Sequence, residues 1–353
     1  NASSVQAQQV DKADVLPPVV VTATPFEDRS ELDMAQPVSV LKGDDLRRKR
    51  EPSLGDTLSR ELGVASSSFG PGAGRPIIRG LDGPRIRVLE NGIGTLDLSS
   101  ISPDHAVTAE SLNASQIEIL RGPATLLYGS GVSGGIVNVV NDRIPSQRFK
   151  SVKGNFEARG NTATEERTGA FNASGSAGQA SWSIGGFRRK TGDYHIPGRA
   201  NENDPDSSKG VVENSAVNSA GVSAGGSFVG ERGFIGGSFS HLESKYGVPS
   251  PEGSKIDLDQ NRYDLSGELD NPVIGFEKLK VRMGYNDYKH NEIEGTGEIA
   301  TRFKNKGLES RAELLHAPVG GWKGVFGVQF RDRDFSALGE EAVIPVTKSR
   351  STG

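Results

Sequence analysis

The sequence predicts a small α+β domain followed by an antiparallel β-barrel that crosses a membrane on its strands. Three observations carry this. Between residues 37 and 145, two short helical patterns are interleaved with β-forming runs. From residue 151 onward, apolar and polar side chains alternate, the period of strands with two unlike faces. The connections between those strands are short at one end and mostly longer at the other, as in outer-membrane barrels.

Taken in order, residues 1–18 are polar and alanine-rich with a Pro pair, a composition that does not build a packed core. The β-forming segment Val19-Val20-Val21-Thr22-Ala23-Thr24 follows, stranded in this tail. By composition it suits either an edge strand of the next domain or a segment that pairs with a partner's sheet. Residues 43–50 and 53–62 read as helices. Ser53 is placed to cap the second, and Leu54, Leu58 and Leu62 recur every four residues on one face. Strands are expected at 76–79, 86–89, 117–120 and 136–140, giving a domain of about a hundred residues with its own core.

Residues 116–140, QIEILRGPATLLYGSGVSGGIVNVV, organise this domain. Arg121-Gly122-Pro123 makes a tight turn, because Pro fixes φ and Gly adopts angles other residues avoid. Gly129 to Gly134 fits the G-x-G-x-x-G spacing of dinucleotide sites. That fingerprint requires a following helix to receive the pyrophosphate, whereas Ile136-Val137-Asn138-Val139-Val140 is strand chemistry. A nucleotide site is therefore not expected.

In the second part, Gln260, Arg262, Asp264, Ser266, Glu268 and Asp270 fall on one face, with Tyr263, Leu265 and Leu269 on the other. Leu279, Val281, Met283 and Tyr285 alternate with Lys280, Arg282, Gly284 and Asn286. Trp322, Phe326, Val328 and Phe330 alternate with Lys323, Gln329 and Arg331. Short turns are expected at 177–180, 230–233, 271–275 and 318–321, and longer loops at 192–210, 246–259, 291–300 and 336–344. Apolar side chains then face lipid and charged ones the lumen.

Composition agrees. Of 353 residues, 34% are hydrophobic, which suits either disorder or strands polar on alternate positions. No apolar run reaches the roughly 18 residues of a membrane helix. No basic and apolar leader opens the chain, so Asn1 reads as a mature N-terminus. The absence of cysteine fits an exported chain. A formal charge of -4 offers no basic footprint for nucleic acid.

Residues 116–140, with Ile77-Ile78-Arg79-Gly80 and Arg85-Ile86-Arg87-Val88-Leu89-Glu90-Asn91-Gly92 upstream, resemble the plug domain of TonB-dependent outer-membrane receptors. The resemblance implies a flexible segment with a TonB box over 1–36, a plug over 37–145, and the N-terminal part of a barrel over 146–353. In it, residues 19–24 are the TonB box, offered to the periplasmic transducer TonB. It further implies a Gram-negative outer membrane and energy-coupled import. About ten strands are counted. Plugged lumens belong to barrels of roughly 22 strands, so the chain reads as a fragment holding the first part of a larger barrel.

Ser102-Pro103-Asp104-His105-Ala106 lies in a plug loop expected to face the outer cavity. A turn there lets Asp104 and His105 project from one apex, and both are ordinary zinc ligands, although a tetrahedral site needs about four. This pentapeptide, with Arg189 to Tyr194 and Asn286 to His290, resembles the zinc-importing branch, in which the plug Asp and His contribute to metal binding. The histidine-rich outer loop common in that branch is lacking, since 246–259 contains no histidine. Parity places His290 on the lumen-facing row and Asp193 and His195 inward as well, so Asp104, His105, Asp193, His195 and His290 are the candidate metal residues. His316 reads as interfacial, the parity of His241 is ambiguous, and the acidic loop 201–206 reads as a solvated turn. No Ser-His-Asp or Cys-His arrangement can be assembled, so an enzyme is not expected. Zinc enters as substrate, with no resident cofactor. The alternatives are a receptor for a siderophore or haem, or a surface binding protein without transport.

Overall fold

The structure, a computed structural model, describes residues 21–22, 37–67, 69–129, 131–250, 253–340 and 345–353. The N-terminal domain comprises β1 (Val38–Lys42), α1 (Gly43–Lys49), α2 (Leu54–Leu58), β2 (Val64–Ser66), β3 (Pro76–Ile78), β4 (Ile86–Glu90), β5 (Ile93–Gly94), β6 (Gln116–Leu120) and β7 (Gly135–Val140). Its main sheet has the order β1-β6-β7-β4-β5. The β-branched run forms β7, parallel to β4 and antiparallel to β6, so the G-x-G-x-x-G spacing leads into a central strand and not into a helix. Gly122, at φ 89, takes the turn that leaves β6.

Ser53 caps α2 by accepting from the Asp56 N–H at 3.2 Å. The helix is shorter than its pattern suggests. Leu54 and Leu58 enter the core with Leu41, Leu46, Ile117 and Ile119, but Leu62 is 91% exposed. The Ser59 N–H already bonds to the Asp56 carbonyl, tightening the last turn, and Gly63 at φ 71 redirects the chain.

The second part comprises β8 (Lys153–Asn161), β9 (Glu166–Ala177), β10 (Ala180–Lys190), β11 (Tyr194–Arg199), β12 (Lys209–Val212), β13 (Val217–Val229), β14 (Gly233–Gly247), β15 (Lys255–Asp270), β16 (Phe276–Ile293), β17 (Ile299–His316), β18 (Val325–Gly339) and β19 (Thr347–Thr352). Ten of them form one antiparallel sheet in the order β8-β9-β10-β13-β14-β15-β16-β17-β18-β19, and its two end strands do not pair with each other. The sheet wraps the N-terminal domain with its polar face inward. Arg262, Lys280, Asn286, Asn305 and Glu309 are buried, while Val222, Ile235, Tyr263, Leu265, Met283, Phe326 and Val328 are exposed outward. This inverts a soluble protein and matches a wall whose outer solvent is hydrocarbon. Among the described residues no helix is long and apolar enough to cross a membrane.

The short turns lie where expected, but the opposite ends differ. Residues 192–210 contain the β11–β12 hairpin. Strands also run farther than the apolar pattern, so β14 and β15 pair from Gly233↔Leu269 up to Gly247↔Lys255, and β16 continues to Ile293. Cross-strand hydrogen bonds do not depend on side-chain polarity, so the ladder persists where alternation fades.

Charged side chains tie the domain to the wall. Arg87 makes a forked contact with Glu309 at 2.7 and 2.5 Å, and Arg189 another with Glu110 at 3.0 and 3.1 Å. Arg143 donates to the Ser240 hydroxyl of the wall at 2.9 Å. The loop after β5 is pinned by three inward side chains. Arg262 donates to the Gly94 carbonyl at 2.9 Å, and Asn286 and Asn305 donate to the Leu96 carbonyl at 2.9 and 2.6 Å.

Candidate metal centre

The loop carrying Asp104 and His105 is fastened to the wall from both sides of the histidine. The Tyr246 hydroxyl donates to the Asp104 carbonyl at 2.9 Å and accepts from the Ala106 N–H at 2.8 Å. Gly72 makes this possible, since a Cβ there would meet the Tyr246 side chain at 2.5 Å. Beneath the loop, both Asp97 carboxylate oxygens are occupied, one by the Ser99 N–H and hydroxyl and the other by the Thr108 N–H and hydroxyl.

Thus held, His105 is buried at 1% exposure, facing His290 and Glu292 on β16. Its Nε2 lies 2.9 Å from Glu292 Oε1, and the His290 Nε2 lies 3.7 Å from the same oxygen. One ligand atom from each of the three residues falls within 4.8 Å of the others. The second nitrogen of each ring is engaged elsewhere. His105 Nδ1 contacts the Leu98 carbonyl at 3.2 Å, and His290 Nδ1 contacts the Tyr288 hydroxyl at 2.8 Å. In such an arrangement the far nitrogen fixes the ring and the near one is left to bind metal. The His290 Nε2 is buried with no hydrogen-bond partner, an uncompensated polar atom aimed at the carboxylate. Phe303 walls the site, stacked on the His290 ring at 4.5 Å and edge-on to His105 at 5.1 Å.

Burial disfavours a charged His105. The hydrogen bond to Glu292, aided by the neighbouring Asp104 and Glu292 charges, outweighs it, and the His105 pKa stands above its ordinary value. Two imidazoles and one carboxylate are also the protein ligands of several catalytic zinc sites. A tetrahedral ion with bonds of about 2.1 Å sets its ligands about 3.4 Å apart. The 2.9 and 3.7 Å separations bracket that spacing.

The remaining candidates lie elsewhere. Asp104 is half-buried and accepts from the Ser102 hydroxyl, next to the cluster in sequence but outside it. Asp193 accepts from the Ser215 and Ala216 N–H groups at 2.9 and 3.0 Å, holding the base of the β11–β12 loop. His195, on that hairpin, is exposed and 3.6 Å from Glu165. The expected inward row of Asp193 and His195 ends where the chain leaves the main sheet at Thr191. His316 lies beside Phe326, with ring centroids 6.1 Å apart, and His241 sits near Glu243 and Asp259 on the outward face. In the acidic loop, Asn201 and Asp204 accept from the Asn203 and Asp206 N–H groups, which makes local turns.

Glu292 was not a sequence candidate. It follows His290 by two residues and therefore shares its face. The signal was present, but 291–300 read as a loop, where that rule does not apply. Tyr246 and Phe303 carried no sequence signal.

Of the segment 19–24, only Val21 and Thr22 are described; Val19, Val20, Ala23 and Thr24 lie outside the described residues. Val21 is fully buried against Leu89, Leu120 and Ile136. The Thr22 N–H and hydroxyl both donate to Glu118, at 2.7 and 2.8 Å.

Residues 30–136 match the TonB-dependent Receptor Plug Domain. The N-terminal domain is therefore similar to the plug of TonB-dependent receptors. Solved structures with this arrangement of plug and wall include the copper transporter OprC, at 16% identity and a TM-score of 0.70, covering 88% of this chain and 48% of that one. The siderophore receptor PirA from Acinetobacter baumannii matches at 17% identity and a TM-score of 0.63, covering 85% of this chain and 48% of that one. The ferric-catecholate import receptor Fiu from E. coli K12 matches at 16% identity and a TM-score of 0.69, covering 94% of this chain and 55% of that one. The fold is therefore that of the TonB-dependent receptors, and the chain spans about half the length of these structures.

Proposed function

We propose that this protein is an outer-membrane receptor that imports a divalent metal ion, zinc foremost, by TonB-coupled rearrangement of the plug. The observation that carries this reading is the His105–His290–Glu292 cluster, in which one ligand comes from the plug and two from the wall. A metal ion there bridges the part that moves to the part that does not. Binding strengthens the closed arrangement, and displacing the plug separates His105 from its two partners.

The donor set favours an ion of intermediate softness. Nitrogen and carboxylate ligands suit zinc, whereas copper(I) prefers sulfur, and the chain has no cysteine and only two methionines. Copper(II) would compete on raw affinity, so competition between the two ions is part of the test. The stretch 19–24 is assigned as the TonB box, which binds the transducer by strand addition. The plug match and the docked Val21 and Thr22 support that assignment.

A second reading, uptake of an anionic metal chelate, has one observation behind it. A cavity of about 390 Å³ between plug and wall is lined by Arg75, Arg87, Arg331 and Arg333. Calorimetry with zinc, copper(II) and a ferric catecholate on the protein and its His105→Ala variant separates the readings. The ion reading expects zinc binding that the substitution abolishes; chelate binding indifferent to it would favour the second. Removal of residues 19–24 is expected to stop uptake while leaving zinc affinity unchanged.

A further inference from the structure

We infer that a zinc ion released from His105 leaves along the seam between residues 106–113 of the plug and the inner face of β13 and β14, and that Glu110 is the ligand that receives it. The inference deepens the ion reading above and rests on it.

The wall differs between its two sides. On β15 to β18 the inward side chains are long and grip the plug. Arg262, Asn286 and Asn305 hold the loop after β5, Glu309 holds Arg87, and Arg311 donates to the Leu127 carbonyl at 2.7 Å. The inward row of β13 and β14 is instead Ser219, Gly221, Ser223, Ser240, Leu242 and Ser244. Side chains this short leave space against the plug, and their hydroxyls keep it polar.

Three cavities follow one another down that space. The upper one, of about 40 Å³, is lined by Ala106, the chain neighbour of His105, and by Leu258, the cross-strand partner of His290. It shares Thr108, Glu110 and Leu242 with the middle one, also of about 40 Å³. The middle one shares Asn113, Arg143 and Ser223 with a third, of about 460 Å³. This last reaches Ser174 on β9 and Ser183 on β10, near the 177–180 turn, and the exposed Arg47, Ser115 and Asn172 open it to solvent. The series therefore runs from the metal centre to the short-turn end of the wall.

The seam also supplies donors. Gln260 Oε1, on a side chain 4% exposed, and Asn113 Oδ1 are buried without a hydrogen-bond partner, and both residues line the middle cavity. Glu110 stands between the two upper cavities, where Arg189 holds its oxygens at 3.0 and 3.1 Å. Released from Arg189, it offers a carboxylate beside two amide oxygens. Oxygen donors suit zinc less well than imidazole does, so such a site passes the ion on and does not store it. A water needs about 10–15 Å³ of such space, so each upper cavity holds about three, too few to hydrate an ion fully. The passage has to widen, and the Arg189–Glu110 fork is the tie that crosses it. The other way down is the arginine-lined cavity between the plug and β17 to β19. It sets four arginines against Asp97 and Glu309, an excess that opposes a cation. In the two upper seam cavities Glu90 and Glu110 balance Arg143 and Arg189.

The chain has no cysteine, so single-cysteine forms of the full-length receptor report on the path. Zinc uptake is measured in energised cells that carry TonB, with and without benzyl methanethiosulfonate, an uncharged thiol reagent. Modification of Ser223→Cys is expected to lower uptake at least tenfold, and a reducing agent to restore it. Ser100→Cys, on the arginine cavity, and Val222→Cys, facing outward, should import as the untreated receptor does. A Ser223→Cys receptor that does not react, or reacts and still imports, overturns the inference, as does a block at Ser100→Cys. The double substitution Glu110→Gln/Arg189→Gln removes both halves of the fork and leaves neither charge unpaired. Zinc affinity in calorimetry should be unchanged while uptake falls at least tenfold. A tie that merely held the plug would, once removed, leave uptake at or above the wild-type rate, and that result strikes Glu110 from the path. A wild-type receptor that binds no zinc would instead sink the ion reading itself, a failure distinct from each of these.

Discussion

Replacing Glu292 by Gln keeps the size of the side chain and removes its charge, and two consequences follow from the geometry. Glu292 is the one carboxylate of the cluster and sits 2.9 and 3.7 Å from the two histidine nitrogens. Interactions with a charged partner contribute about 1.5–3 kcal/mol, so zinc affinity should fall by about 10- to 150-fold, since each 1.4 kcal/mol is a factor of ten. The second consequence concerns protons. The raised His105 pKa means that the ring is protonated to a higher pH than its ordinary 6.5, and that its pairing with Glu292 stabilises the folded protein below that value. This stability is lost as pH rises through the raised pKa. Zinc must displace that proton, so its affinity should climb across the same interval and level off above it. In the Glu292→Gln variant the main opposition to burial is gone and the ring is neutral at lower pH. Calorimetry at neutral pH in buffers of differing ionisation enthalpy counts the protons. The wild type should release more than the variant. Equal affinity and equal proton release in both proteins would refute this account of the cluster.

Other perturbations test the supports. Gly72→Ala places a methyl group against the Tyr246 side chain, so the loop clamp should shift, costing about 1–3 kcal/mol in thermal unfolding and weakening zinc binding in calorimetry. Glu118→Ala removes the acceptor of both Thr22 hydrogen bonds, and a spin label at position 22 should become markedly more mobile; unaltered mobility would dismiss Glu118 as the latch. Met283→Arg puts a charge on the outward apolar row and should cost about 2–4 kcal/mol of stability in a bilayer but little in zinc affinity.

Much of this architecture was legible because barrel strands obey a strict period of two. Gln260 to Asp270 and Leu279 to Asn286 sorted correctly to their faces on that rule alone, as did His290. The rule reports contrast between faces, and it goes silent where both faces are polar. There β14, β15 and β16 run on into segments that read as loops, and Glu292 was lost with them. Leu62 failed for the opposite reason: its spacing continued a helix that backbone hydrogen bonds had already ended at Ser59. Asp193 and His195 were placed inward by extending a row past the residue where the chain leaves the main sheet. The clamp of Tyr246 on Asp104 and the packing of Phe303 on His105 each join residues more than a hundred positions apart and depend on wall register. Local pattern does not encode that.

The central claim is that one metal ion joins plug and wall. Anomalous diffraction at the zinc edge from zinc-soaked crystals tests it most directly. A single strong peak about 2.1 Å from His105 Nε2, His290 Nε2 and a Glu292 oxygen is expected. A peak on other residues, or an empty cluster in crystals that hold zinc elsewhere, would contradict the claim.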